Sequence, residues 1–371
     1  MRPIRFLLPF VAGALVLAGA PAPPTGAGGG GIAEPTWTDS SDGVAVNGTY
    51  TPIVGDFLGG PAGSLDDIIW YAPGAAVDHI WRTGEVDDAT FTSQVLPQGV
   101  NGTYTPIVGD FAGDLRDDIL WYAPGAAGDS LWISDGTTFT SRAVSISGTY
   151  VPAVLDDAAG YDDIVWAAPS GGSGSIWVFH GTGHVSRSIT SPAGSRPLVG
   201  RFNDGSCADL FWYVPGAGAD EAWYVNCNGI VGAAVAEPVF GTYEPVVAHP
   251  IDSAFNDGIL WFRDGGPSTY WEGDEVGTWK TDVYANDVDG TAVAAGVWVH
   301  LRSDGGEPDE LLRVPGHPDY GTLIASGTDP LAAALEPVVG RFALNGSDVE
   351  DILWYAPGPT AERRFHYISL E

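Results

Sequence analysis

The sequence predicts an all-β fold of repeated four-stranded sheets, and three observations carry that prediction. First, a segment of the type running from Val108 to Gly125 recurs along the chain. Further copies begin near Val54, Val154, Val199, Val247 and Val339, with a worn one between Ala294 and Gly316. Aligned on Pro52, Pro106, Pro152, Pro197, Pro245, Ala294 and Pro337, the seven units stand 43 to 54 residues apart, the length that four short strands and their turns require. Second, tryptophans recur at an offset of ten or eleven: Trp70 and Trp81, Trp121 and Trp132, Trp166 and Trp177, Trp212 and Trp223, Trp261 and Trp271, with Trp354 followed by Phe365. A fixed offset across a hairpin repeats one ring arrangement in every unit, as expected for packing between adjacent sheets that lie face to face. Third, the segment around each first tryptophan is almost continuously apolar, Ile-Leu-Trp-Tyr-Ala in the second unit, so both of its faces are expected to be buried. Sheets stacked radially about an axis meet that requirement, and the expected fold is a seven-bladed β-propeller.

The second unit shows how each element is read. Strand A is expected from Thr105 to Asp110, strand B from Ile119 to Ala123, strand C from Ser130 to Ser134 and strand D from Phe139 to Ile146. Between and after them stand the turn formers Gly113-Asp114, Pro124-Gly125, Asp135-Gly136 and Gly148. The last unit ends at Glu371 after its strand C, Arg364 to Ser369. Residues Thr36 to Val46 occupy the place of a strand D before the first Gly-Thr-Tyr, so the N-terminal strand is expected to complete the last blade and close the ring.

Residues 1–20 pair Arg2 and Arg5 with an apolar run from Phe6 to Ala20, the pattern of a secretory signal peptide. Residues 21–33 are rich in Gly, Pro and Ala and read as a linker, leaving 34–371 as the folded part. No later segment is apolar enough to span a bilayer, and no Cys near the end of the leader offers a lipid acceptor. Secretion in soluble form is therefore expected, without membrane insertion and as a monomer. A net charge of -32 with a single lysine, Lys280, speaks against nucleic acid and anionic membrane surfaces, whose phosphates require cationic side chains. Divalent cations and basic or neutral partners remain.

From Gly109 to Trp121 the chain resembles the FG-GAP or VCBS repeats of integrin α-subunit propellers, some fungal lectins and many secreted bacterial proteins, and the resemblance extends over the chain after residue 34. Such repeats often bind calcium between strands A and B, at positions that correspond here to Asp110, Ala112, Asp114 and Asp118. The resemblance therefore implies a structural calcium held by Asp110, Asp114 and Asp118, with weaker candidates at Asp56 and Asp67 and at Asp156 and Asp163. Units four and seven carry Arg201 and Arg341 in place of the first Asp, and each arginine is expected to pair with the carboxylate closing its loop, Asp209 or Asp351. The competing role for the paired aspartates is to cap a tight turn before strand B.

Cys207 and Cys227 fall in loops at the same end of the fourth unit, and an exported protein is expected to join them as a disulfide. His180 and His184 have a spacing sometimes used for zinc, but two intervening glycines and the lack of a Cys pair favour a simple turn. No nucleophile, metalloprotease or phosphate-binding motif is present. One reaction needs one asymmetric constellation, so an active site would appear as a break in the repeat, and unit six is such a break, with His300, Arg302, Asp304, Asp309, Glu310, Arg313 and His317. The leading expectation is a non-catalytic binding module for carbohydrate or protein. Its alternative is an enzyme acting on a polysaccharide, such as a lyase, near unit six. For sugar stacking the candidates are Tyr50, Tyr104, Tyr150 and Tyr243 of the Gly-Thr-Tyr segments, against which stands core packing at the inner strand.

Overall fold

The computed structural model describes residues 36–39, 46, 48–61, 65–74, 76–84, 91–125, 128–156, 160–181, 183–216, 218–248, 256–263, 266–273, 279–284, 290–295, 298–303, 310–313, 323–326, 336–342, 351–355 and 364–369. The signal peptide and linker expected at 1–33 lie outside them. Among the described residues there are strands and no helix, and the strands form seven four-stranded antiparallel sheets. In six of these the strands follow chain order; the second contains Thr105–Gly109, Asp118–Tyr122, Asp129–Ser134 and Phe139–Val144, within two residues of the expected bounds. The remaining sheet joins Glu336–Gly340, Asp351–Tyr355 and Arg364–Ser369 to Thr36–Asp39, which takes the outermost place with Thr36 opposite Ser369 and Asp39 opposite His366.

Strand B is the buried centre of six of the sheets. All five residues of Asp67–Tyr71, Asp118–Tyr122, Asp163–Ala167, Asp209–Tyr213, Gly258–Phe262 and Asp351–Tyr355 are buried, which explains their unbroken apolar run. The paired tryptophans pack between adjacent sheets, as expected, with both rings of a pair facing the sheet before. Trp121 and Trp132 lie on one face of the same sheet, diagonal across strands B and C, with ring centroids 5.3 Å apart and planes at 68°. The sheet after is reached by the tyrosine that follows the tryptophan, because successive side chains of a strand point to opposite faces. Tyr71 of the first sheet packs on Trp121 of the second at 5.1 Å, Tyr122 of the second on Trp166 of the third at 5.1 Å, and Tyr355 of the last on Trp70 of the first at 4.9 Å.

Each of these tyrosines also ties down a Gly-Thr-Tyr segment. The Tyr122 hydroxyl donates to the Gly148 carbonyl at 3.0 Å and accepts from the Tyr150 amide at 2.8 Å. Tyr71 binds Gly102 and Tyr104 in the same way, Tyr213 binds Gly241 and Tyr243, and Tyr355 binds Gly48 and Tyr50. Glycine is required at the first position of these segments. Gly102 has φ of 147°, and a Cβ there would lie 2.6 Å from the ring of Tyr104.

Buried aspartates do the rest of the tying. In four of the sheets the Asp just before strand B staples the sheet to the one before it. The Asp117 amide donates to the Asp56 carbonyl at 3.0 Å, and its carboxylate accepts the Asp56 amide at 2.8 Å. Asp162 and Asp110, Asp257 and Arg201, and Asp66 and Arg341 repeat this two-way bond. The second Asp works within its sheet: Asp118 accepts from the Ala112 amide of the A–B loop at 2.9 Å and from the Ser134 amide at the end of strand C at 2.8 Å. A third, at the start of strand C, joins the end of strand B to the exit from strand D. Asp129 accepts from Ala123 and Ile146, Asp78 from Ala72 and Val100, and Asp220 from Val214 and Val239.

Two predictions follow from this core. Trp121 is 1% exposed, so Trp121→Ala is expected to cost about 3 to 5 kcal/mol in denaturant unfolding. Burial, the leading cause, lifts the carboxyls of Asp67 and Asp209 to about 7 and that of Asp118 to about 8, from an ordinary 3.8. The native chain therefore keeps these protons at pH values where the unfolded chain has lost them. That stabilisation is complete below pH about 4 and is lost as pH rises through 7 to 8, so the melting temperature should fall between pH of about 5 and about 9. A melting temperature that rose across that range would show these carboxyls to be ionised in the native state, held by their amide donors.

Candidate functional site

In three seams the first residue of strand D fills the space between sheets with an aromatic ring. Phe91 packs on Trp81 at 5.3 Å and reaches Phe342 of the last sheet at 5.6 Å. Phe139 packs on Trp132 at 5.5 Å and on Phe57 of the first sheet at 6.0 Å. Trp279 packs on Trp271 at 5.7 Å and on Phe202 of the fourth sheet at 5.3 Å. The register of each hairpin places Phe91 opposite Thr83, Phe139 opposite Ser134 and Trp279 opposite Gly273, in each case two residues beyond the second tryptophan of the unit. In the third sheet the same place, opposite Phe179, belongs to His184.

Phe179 makes the contact with Phe111 of the preceding sheet instead, and beside it lies a cleft of about 320 Å³ between the second and third sheets. One wall is a cross-strand row of the second sheet, Leu120 paired with Leu131 and Leu131 with Arg142, so that an apolar floor rises to an exposed guanidinium. The other wall is Trp177, Phe179 and His184. Phe179 fills the inner end against Phe111 at 4.9 Å, while His184 lies flat on Trp177, with centroids 3.9 Å apart and planes at 11°. Trp177 and His184 are both half-buried. Burial, followed by the charges of Arg142 and His180, holds the His184 imidazole below its ordinary 6.5, so at neutral pH the ring is uncharged and offers one donor and one acceptor. The cleft thus combines an aromatic platform, a neutral imidazole and a cation, and no Asp or Glu lines it among the described residues. At the next seam, between the third and fourth sheets, Arg187 donates to the Asn228 carbonyl and Gly229 sits so close that a Cβ would meet Val178 at 2.3 Å, which leaves no comparable space.

The residues expected to hold calcium are placed otherwise. Asp110 turns both carboxylate oxygens on its own loop, accepting from Gly113 at 2.7 Å, Asp114 at 3.1 Å and Leu115 at 2.7 Å. These bonds hold Leu115 at φ of 70°, a conformation that a non-glycine residue rarely adopts. Asp114 accepts from the Arg116 amide, and Asp118 from the two amides described above. In this conformation all three carboxylates serve as acceptors of backbone N–H groups. Among the described residues no group of three or more Asp, Glu, His or Cys side chains converges on a point. In the first sheet the Arg116 guanidinium lies 3.5 Å from Asp56 and donates to the carbonyls of Gly59 and Gly60, while Asp67 accepts from Leu58 and Thr83. Asp156 accepts the Ala208 amide at its carbonyl, and Asp163 accepts from Phe179. Asp209 takes amide bonds from Phe202 and Val225, and Asp351 takes one from Phe342. The paired aspartates whose bonds are described thus accept backbone amides, some from their own loop and some from the sheet before or from strand C.

Cys207 and Cys227 form the expected disulfide, with Cα atoms 5.4 Å apart. Tyr50, Tyr104, Tyr150 and Tyr243 are half-buried and stand edge-on to Trp70, Trp121, Trp166 and Trp261, in the core-packing role. In unit six, Asp304, Asp309 and His317 lie outside the described residues. His300 and Arg302 belong to Trp298–Ser303, and Glu310 and Arg313 to Glu310–Arg313. The residues that sequence reasoning missed are Arg142 and Trp177, together with the stacking role of His184. Their signal is present in the sequence: His184 stands seven residues after Trp177, as Phe139 does after Trp132, and breaks a run of aromatic residues.

No protein-family model matches the chain, and no curated protein does. Solved structures do resemble it. An Agrocybe aegerita lectin that recognises non-reducing terminal N-acetylglucosamine matches at a TM-score of 0.58 and 12% identity, over 84% of this chain and 86% of its own. BBS1N, solved in complex with ARL6DN, matches at 0.53 and 12% identity, over 91% of this chain and all of its own. The chain also spans 14% of the length of a Photorhabdus luminescens Tc holotoxin pore, at a TM-score of 0.48 and 13% identity, too slight a likeness to carry an inference. At such identities the likeness concerns the fold: this chain is built as a propeller-like array of four-stranded sheets, similar to that of the lectin.

Proposed function

We propose that the chain is a secreted, non-catalytic binding module, a seven-bladed β-propeller of the FG-GAP or VCBS kind, that holds carbohydrate in the cleft between its second and third sheets. The observation that carries this reading is the cleft itself, in which the pair of His184 stacked on Trp177 stands beside Arg142. A sugar ring has an apolar face that packs on an aromatic platform and a hydroxyl edge that needs polar groups placed around it, and this cleft offers both. The likeness to a lectin supports the carbohydrate class, since a similar frame is known to display sugar sites.

Closure of the ring is supported by three links between the first and last sheets: the pairing of Thr36–Asp39 with Arg364–Ser369, the bonds of Tyr355 to Gly48 and Tyr50, and the two-way bond of Asp66 with Arg341. Export is supported by the disulfide, which persists in oxidising compartments. No helix among the described residues is long and apolar enough to cross a membrane.

Binding of the full mature chain to a broad panel of neutral and acidic glycans tests the reading. Saturable binding is expected, weakened about tenfold or more by Trp177→Ala. His184→Phe keeps a stacked ring on Trp177 and removes the imidazole's donor and acceptor, so binding should weaken while the melting temperature holds or rises. Because amide bonds to Asp110 hold its loop without a metal, affinity should be the same in calcium and in chelator. No binding to any glycan would overturn the carbohydrate reading and direct the search to a protein partner.

A further inference from the structure

We infer that the fourth sheet carries a self-association surface, where two copies of the chain meet through a two-fold contact centred on Phe240. Phe240 is 74% exposed, more than any other large apolar side chain among the described residues. It stands just before the glycine of the segment that leads into the next sheet, a place taken by Asn101 and Ser147 after the first and second sheets. The ring is seated on the B–C turn of the fourth sheet: a Cβ at Gly218 would come within 2.6 Å of it. The repeat shows the two places changing together. Two residues before the Asp that opens strand C, the first and second units carry Ala76 and Ala127, and the fourth carries Gly218. The side chain absent at Gly218 is thus the room that the Phe240 ring takes. A large ring held in place yet left to solvent gains by being covered, and little of its freedom remains to be lost.

The surroundings of Phe240 are apolar and uncharged. Pro215, Ala219 and Pro238 are exposed on the same two loops, and Val235 and Ala236 are exposed on the outermost strand. Residues 229–236 carry no polar side chain, whereas each of the other outermost strands among the described residues carries at least one. The carboxylates beside the patch are engaged elsewhere: Asp220 accepts the Val214 and Val239 amides, and Glu221 accepts the Trp223 indole. Charge then selects the occupant. A chain of net charge -32 meets a basic partner best through its carboxylates. A patch kept clear of charge suits a partner with no opposite charge to offer, because two acidic surfaces can touch there without bringing carboxylates together. A second copy is such a partner, with the same charge and the same patch. A two-fold axis beside Phe240 sets the ring of each copy on the apolar loops of the other and runs the two outer edges antiparallel. The pair replaces the single chain expected from the sequence.

The test is analytical ultracentrifugation of the full mature chain over about a hundredfold range of concentration, at low and at high salt. A reversible equilibrium between one chain and two is expected. Like charges repel across such a contact, so salt should tighten it. Phe240→Asn supplies the residue found at this place before the first and second sheets, Asn47 and Asn101. It should weaken the dimer about thirtyfold or more, the loss of a central aromatic anchor. Because the ring is exposed, the variant should keep the circular dichroism spectrum of the parent. Val235→Glu, which puts a carboxylate into the patch of each copy, should weaken the dimer as well, and more at low salt than at high. A single chain at every concentration and salt would overturn the inference. A dimer that both variants leave as tight as the parent would overturn its placement on the fourth sheet. A dimer that salt dissociates would show a contact between opposite charges and overturn the inference too.

Discussion

Buried aspartates that accept backbone amides hold this fold together. Each sheet has short strands, and loops of this length would leave several N–H groups without partners in the interior, a cost comparable to losing a hydrogen bond apiece. One carboxylate accepts two such donors from separate parts of the chain. Asp118 joins the A–B loop to the end of strand C, Asp129 joins strand B to the exit from strand D, and Asp117 joins one sheet to the next. Burial works against charge on these groups, as the raised value of Asp118 shows, and the amide donors work in its favour. The acidic composition is therefore partly architectural and should not be read as surface charge alone.

Tyrosine and tryptophan complete the frame from the hydrophobic side. Alternation along strand B sends Trp121 towards the sheet before and Tyr122 towards the sheet after, so adjacent sheets interlock by one rule repeated along the chain. Where the rule lapses, the seam changes. Ala167 stands in the tyrosine position of the third sheet, and there the turn after strand C of the fourth sheet, Asn226 to Ile230, packs against the neighbour through Gly229 and Asn228. The frame tolerates such changes because the staples and the B strands, near the centre, do not depend on what stands at the start of strand D.

The candidate site uses that tolerance. His184 occupies a place that phenylalanine or tryptophan fills elsewhere, and the inner space is closed by Phe179 against Phe111, with the cleft beside it. Stacking on Trp177 keeps the imidazole in one plane, and burial keeps it neutral. A rigid platform with fixed polar groups favours binding, because little side-chain entropy remains to be lost when a ligand arrives.

Much of the fold was legible in the sequence, because the repeat states it many times over: strand B from its unbroken apolar run, the hairpins from their Gly and Pro turns, and the place of Thr36–Asp39 from the missing strand of the last unit. Which neighbour the tryptophan pairs face was not, since a constant spacing cannot say on which side of the sheet the two rings lie. The Asp-Asp pairs were legible as residues but ambiguous in role, because a metal ligand and an amide acceptor are the same side chain until the positions of its neighbours are known. Asp129, eleven residues after Asp118 just as Asp78 follows Asp67, was overlooked although it repeats as regularly as tryptophan. By itself, then, the sequence determined the all-β repeat, its strands and its acidic character, since these follow from local pattern and composition. Only the tertiary structure decided where a ligand could enter, because the walls of the cleft come from different sheets and Arg142 and Trp177 become neighbours only when those sheets pack.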